Sequence, residues 1–337
     1  MKLLLIGGGR FVGRHLLDAA LAAGHELTVF SRGQSRQVWP AGVDVRVGDR
    51  HSALNSLRQG QWDAVLDCCA YLPSDVTRLA QALDGRAARY VLISSVSAYA
   101  SFAAPNDEDS PLGSLPAHDP DLLAGNVNGR SYGPLKAMAE AAALAAWGPA
   151  ACLRIRPGLV VGPQDPTQRF TYWPARLARV RPGEAVLAPG RPDAALQWVD
   201  ARDLAAFTLR ALADGRLGAV NVHTDPDALR LGSVLDEMAK ALQRQPRWAW
   251  MPDAALLAAG VAPWNELPLW LPAEGEYAHF MRSANTRARA WDLQTRTVSE
   301  TALDTLAWWQ GLPPEQQRFD KAGLAAEREQ QLLQAAQ

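Results

Sequence analysis

Two groups of residues in this chain have types and spacings that can do chemistry. The first is Gly7-Gly8-Gly9-Arg10-Phe11-Val12-Gly13, set between an apolar run, Leu3–Ile6, and an amphipathic stretch, Arg14–Ala23, closed by Gly24. A glycine-rich turn from strand to helix lets backbone approach a pyrophosphate, and the helix start offers free N–H groups and a positive dipole end. Gly7, Gly9, Arg10, Phe11, Val12 and Gly13 are therefore candidate dinucleotide-binding residues. The second group is Tyr132-Gly-Pro-Leu-Lys136, heading an alanine-rich helical stretch, Ala137–Trp147. Residues four apart share a helix face. Tyrosine ionises near pH ~10 and is a poor base at neutrality. A neighbouring ammonium and a positive nicotinamide ring favour the phenolate, and a tyrosine so tuned can exchange a hydroxyl proton while hydride passes to or from a cofactor.

The elements that must position these groups follow from the pattern. Strands are predicted at Leu3–Ile6, Glu26–Phe30, Asp44–Val47, Ala64–Cys69, Tyr90–Ser94 and Cys152–Val161, with helices at Arg14–Ala23, Val76–Leu83 and Ala137–Trp147. Such alternation implies βαβ units: an α/β, doubly wound Rossmann-like parallel sheet. The end of the second strand reads Phe30-Ser31-Arg32-Gly33, with Arg36 close by. An NAD site usually has a carboxylate there for the ribose 2′-OH. Here a hydroxyl and guanidinium suit a 2′-phosphate instead, favouring NADP(H), with NAD(H) as the other possibility. Asp49 is placed to accept from an adenine amino group or to cap a helix.

At this point the sequence resembles the extended short-chain dehydrogenases/reductases of the NAD-dependent epimerase/dehydratase superfamily. Ile93-Ser94-Ser95-Val96-Ser97-Ala98-Tyr99 is similar to the family's fifth-strand motif, which implies Ser95 as donor to the substrate oxygen, beside Tyr132 as acid/base and Lys136 as its tuner. Asp67-Cys68-Cys69-Ala70 resembles the fourth-strand segment beneath the nicotinamide, implicating Cys69 and Ala70. Arg156–Pro163 resembles the segment lining nicotinamide and substrate, implicating Pro157 and Gly158, and Val199–Ala205 resembles the return to the sheet. The chain departs from the family at two places. Arg10 stands where the middle glycine of Gly-x-x-Gly-x-x-Gly belongs, and Gly-Gly-x-Arg-Phe resembles an RNA-binding branch of the superfamily. Leu159 stands where sugar-nucleotide epimerases carry an asparagine, which argues against a nucleotide-sugar substrate. The expected activity is NADP(H)-dependent oxidoreduction of a small carbonyl or alcohol. An epimerase or dehydratase with retained cofactor, or a non-redox RNA-binding or scaffold protein, are the alternatives. The resemblance also implies a homodimer through Ala137–Trp147.

The remaining features set boundaries. The predicted Rossmann unit is 1–163 with 194–216, the substrate region 164–193 and 217–318, mostly helical, and 319–337 a tail carrying a helix over Ala322–Ala336. Arg169 is a candidate for pairing an acidic group, and Tyr172 and Trp173 for stacking on a ring, although tryptophans at helical spacing serve more often as core. Residues 101–130, rich in Pro, Asp, Asn and Gly, read as a lid or a solvated insertion. With 34 basic against 35 acidic residues, net charge −1, the chain lacks the basic excess of a nucleic-acid binder. No apolar run approaches the ~18 residues that span a bilayer. Six scattered histidines and three cysteines make no metal site, and the expected location is the cytoplasm.

Overall fold

Leu3 to Ile6 have no polar face to give to water, and such a run is stable as a strand where both faces are covered. The computed structural model describes residues 1–34 and 38–335. In it β1 (Lys2–Ile6) is central, with Leu3, Leu4 and Leu5 fully buried. The chain continues through α1 (Phe11–Ala22), β2 (Glu26–Ser31), β3 (Val43–Val47), β4 (Trp62–Asp67), α2 (Pro73–Leu83) and β5 (Ala87–Ile93). After α3 (Pro120–Ala124) and α4 (Tyr132–Trp147) comes β6 (Cys152–Pro157), and beyond Gly158 a separate short strand, β7 (Leu159–Val161). The predicted sixth strand is thus two strands, belonging to different sheets.

The C-terminal half runs α5 (Tyr172–Ala178), β8 (Ala185–Pro189), β9 (Ala195–Leu196), β10 (Trp198–Asp200), α6 (Ala201–Ala213), β11 (Gly218–Val222), β12 (Leu229–Arg230), α7 (Leu231–Ala241), β13 (Arg247–Met251), α8 (Asp253–Ala258), α9 (Thr286–Ala290), α10 (Val298–Gln310) and α11 (Ala326–Ala335). The seven-stranded sheet has the order β11-β6-β5-β4-β1-β2-β3, every pair parallel. Leu5 pairs with Val29 on one side and Leu66 on the other. The chain steps outward from β1 to β3, then returns to β1's other side with β4, so the order reverses between β1 and β4. In open α/β sheets, ligands bind outside the strand C-termini at such a reversal.

Helices cover both faces. α1 and α6 bury Leu16, Leu17, Leu204 and Phe207 on one face. On the other, α2 and α4 bury Val76, Leu79, Ala139 and Ala143, with Tyr90 stacked on Trp147 at 4.1 Å between ring centroids. A second core joins Phe170, Trp173, Trp198, Met238 and Trp270 around α5, α7 and the β8–β13 pair. This corrects one expectation: Gly218–Val222, placed in the substrate region, is the sheet's seventh strand. The mostly helical C-terminal region also holds short strand pairs. The first half of 101–130 is also no free lid. Ala100 N–H donates to Pro111 O at 2.9 Å, Ala284 N–H to Asn106 O at 2.7 Å, and Asn221 N–H to a Glu108 carboxylate oxygen at 3.0 Å. Among the described residues, no helix is long and apolar enough to cross a membrane.

Candidate active site

The glycine turn leaves β1 and enters α1 at the sheet's reversal point. Gly7 has φ +115° and Gly8 φ +66°, both in the left-handed region that glycine tolerates. A side chain at Gly7 would meet Cys68 Sγ at 2.8 Å; one at Gly13 would meet Gly8 N at 2.6 Å. Gly9 N–H turns back to Gly7 O at 2.6 Å. Arg10 has ordinary extended backbone, φ −140°, which is why a non-glycine residue is accepted there, and its side chain is exposed rather than packed into the turn. No side chain caps α1 and its first turn has no acidic residue, so its leading N–H groups remain for an anion. Phe11, at φ +34°, carries backbone strain at the helix start, while Val12 is half-buried against the core of that face. This cradle fits a dinucleotide pyrophosphate.

At the rim, Ser31 accepts a bond from Gly33 N–H at 3.2 Å, and Arg32 is exposed just beyond β2. Arg36 lies outside the described residues. Asp49 accepts from His51 N–H at 2.8 Å, so its carboxylate is engaged in a local turn. Gly158 N–H donates to Val222 O at 3.2 Å, and a side chain at Gly158 would meet His223 Cβ at 3.2 Å. His223 is buried and held near 4 by desolvation, hence neutral.

The candidate proton-transfer residues converge at the ends of β4 and β5. Lys136 Nζ donates to Ala70 O and to Ile93 O, both at 2.9 Å. It is buried, and desolvation lowers it to about 8. Tyr132, half-buried one turn earlier, is raised by burial, against a hydrogen bond with Ser95 and the Arg169 guanidinium. Those two groups favour its phenolate, and the Lys136 ammonium lies 6.0 Å from its ring centroid. Ser95 also accepts from Ser97 N–H at 3.0 Å, fixing the turn after β5. Gly133 lets α4 come against Ser97 O: any side chain there would collide with that carbonyl.

Two features of this site were passed over in the sequence. Arg50 forks onto Asp67 at 3.0 and 2.9 Å beneath the segment after β4, with Tyr90 donating to the same carboxylate at 2.9 Å. Tyr71, 42% exposed, places its ring centroid 4.7 Å from Lys136 Nζ and 6.3 Å from that of Tyr132. Cys69 Sγ accepts from Arg50 at 3.2 Å, and Cys68, not Cys69, abuts Gly13. The substrate candidates are separated. Arg169 faces Tyr132 electrostatically and lies over Trp264 at 5.5 Å. Tyr172 and Trp173 are instead core residues, the indole N–H donating to Pro268 O at 2.8 Å and the phenol ring packed on Phe319, so neither is available to stack on a substrate.

The sheet order, glycine turn and Ser/Tyr/Lys cluster are those of an extended short-chain dehydrogenase/reductase. The chain belongs to the NAD dependent epimerase/dehydratase family, whose model matches residues 3–223. It is thus an NAD(P)-dependent type of enzyme. No curated protein matches it in sequence. Among solved structures, UDP-glucuronic acid 4-epimerase from Bacillus cereus with NAD superposes with a TM-score of 0.65 at 15% identity, covering 91% of this chain and 98% of that one. A UDP-glucose 4-epimerase gives 0.66 at 14% identity, with 93% and 99% covered. A human epimerase family protein with NADPH gives 0.58 at 19%, with 93% and 100% covered.

Proposed function

We propose that this chain is an NADP(H)-dependent oxidoreductase acting on the carbonyl or alcohol centre of a small substrate that is not a nucleotide sugar. The observation that carries this reading is the meeting of Ser95, Tyr132 and Lys136 at the strand ends beside the glycine turn. When bound, the nicotinamide supplies or accepts the hydride. Ser95 holds the substrate oxygen by a hydrogen bond. Tyr132 gives that oxygen its proton in the reducing direction and removes it in the oxidising one. Lys136 keeps one N–H beyond the two held by Ala70 and Ile93, and its charge, with that of Arg169, favours the phenolate state.

Two features support the narrower terms. Arg32 is exposed at the end of β2 and no carboxylate replaces it there, which suits a 2′-phosphate. Leu159 is buried in the C-terminal core, so at this position β7 offers no side-chain amide to a substrate diphosphate. A homodimer through α4 belongs to the same reading; Ala141, Ala145 and Ala146 are exposed on it and permit close packing. The family name keeps a second reading alive, an epimerase or dehydratase that retains its cofactor. Fluorescence titration of nucleotide-free protein with NADPH and NADH, on wild type and Arg32→Ala, tests the choice. The expected result is tighter NADPH binding, lost mainly for NADPH in the variant. Tightly retained oxidised cofactor favours the epimerase reading, and equal losses remove Arg32 as the phosphate reader.

A further inference from the structure

We propose that Tyr71 is a substrate-facing specificity residue, forming with Tyr132 an aromatic wall that selects a flat, unsaturated or aryl carbonyl or alcohol over a puckered, hydroxylated ring. This rests on the catalytic reading above and extends it to the substrate class.

The position is built, not incidental. Tyr71 N–H and Leu72 N–H both donate to Asp75 at 3.0 Å, and Arg50, held in the fork of Asp67, lies 3.5 Å from the other Asp75 oxygen. Arg50, Asp67 and Asp75 are nearly or fully buried, so three desolvated charges fix the backbone from which Tyr71 projects. Removing Arg50 would leave two buried carboxylates without their cation, so the guanidinium holds both carboxylates in place. The Lys136 ammonium beneath the Tyr71 ring holds its face by cation–π attraction. The phenol of Tyr71 has no hydrogen-bond partner among the described residues, and the residue is 42% exposed.

The shape follows from the distances. The two ring centroids are 6.3 Å apart and the planes tilt by 48°. A third ring cannot enter between them, since a sandwich needs about 7 Å at ordinary carbon contact. They form instead an open V, against which a planar ring packs by its face or edge. The segment before α4 reaches the residue that follows Tyr71. Gly125 sits against Leu72, and within two residues of it Leu123 and Val127 are exposed.

The test uses two unreactive probes of matched size, benzamide and cyclohexanecarboxamide, titrated by NMR into the full chain with NADPH, beside turnover of the corresponding aldehydes. Wild type is expected to bind the flat amide at least about tenfold more tightly. Tyr71→Ala and Tyr71→Leu should each reduce that ratio below about threefold, and Tyr71→Phe should keep it. The same ratio is expected in kcat/KM, carried mainly by KM. Equal affinities in wild type, or a ratio that Tyr71→Ala and Tyr71→Leu leave unchanged, overturn the wall. Flat-ring selectivity in binding with no aldehyde reduced keeps the wall and sinks the reductase reading. Aldehyde turnover without selectivity does the reverse.

Discussion

Tyr132 is a phenol pushed toward its neutral form by burial and drawn back by Ser95 and Arg169. In the proposed reaction it is therefore the proton donor at rest in the reducing direction. Replacing it with Phe removes the proton without emptying the space, and turnover should fall roughly 10²–10⁴-fold with NADPH affinity nearly unchanged. Near-wild-type turnover would remove Tyr132 as the acid. In the proposed reaction Lys136 sets the pH range. Burial lowers it to about 8, so it is charged through neutrality and loses its proton above that value. Carbonyl reduction should accordingly be flat below pH 8 and decline on the alkaline side with an apparent pKa near 8. Lys136→Arg keeps its charge at any accessible pH and should abolish that decline, at whatever lower rate its bulk allows. A pH–rate profile of both proteins reads this directly; an alkaline limb that survives in the arginine variant assigns it to another group.

At the scale of elements, the site depends on how closely α4 approaches the turn after β5. Gly133 has Ser97 O where a side chain would go, and it lies between the two chemical residues. Gly133→Ala should lift the first turn of α4 and part Tyr132 from Ser95, lowering kcat at least about tenfold with NADPH affinity retained, because a 1 Å displacement of a reacting group can cost 10²-fold. Unchanged kcat would show that Ser95 and Tyr132 need not meet. α4 is fixed from its other side by Glu140, which holds buried Arg156 of β6 at 2.9 and 2.7 Å, while Arg156 also donates to Glu108 O at 3.0 Å. That ion pair ties the insertion to the sheet, and it could not be read from local composition: residues 101–130 look solvated because their anchors lie far away in sequence. The glycine turn was legible, since Gly7 and Gly13 owe their identity to contacts a few residues away or on the next strand. Tyr71 was not, because nothing in Cys69-Ala70-Tyr71-Leu72 says that Lys136 will lie beneath the ring.

Over the whole molecule, one parallel sheet brings the ends of β1, β4 and β5 to a single edge, and the C-terminal region packs beside it. The proposed dimer belongs to this scale. Small exposed side chains on α4 should pair two copies, and sedimentation should find a dimer at micromolar concentration; a monomer would dispose of that interface. Alternating apolar runs and helical patterns, with a glycine turn at the first junction, determined the fold class. Apolar periodicity is a local property that burial must obey, so each strand to β5 was visible within a few residues of its end. The sequence also pointed to Tyr132 and Lys136 by type and spacing, and to Ser95 through the family resemblance, as the proposed chemical set. Tertiary structure alone decided that β11 closes the sheet, since strand pairing between Gly218–Val222 and β6 joins residues more than sixty apart. It decided that Tyr172 and Trp173 are core, because aromatic spacing on a helix is the same whether the face meets solvent, substrate or a second layer. It also brought Arg169 to Tyr132 beside Ser95 and Lys136, because electrostatic influence follows distance and burial rather than position along the chain.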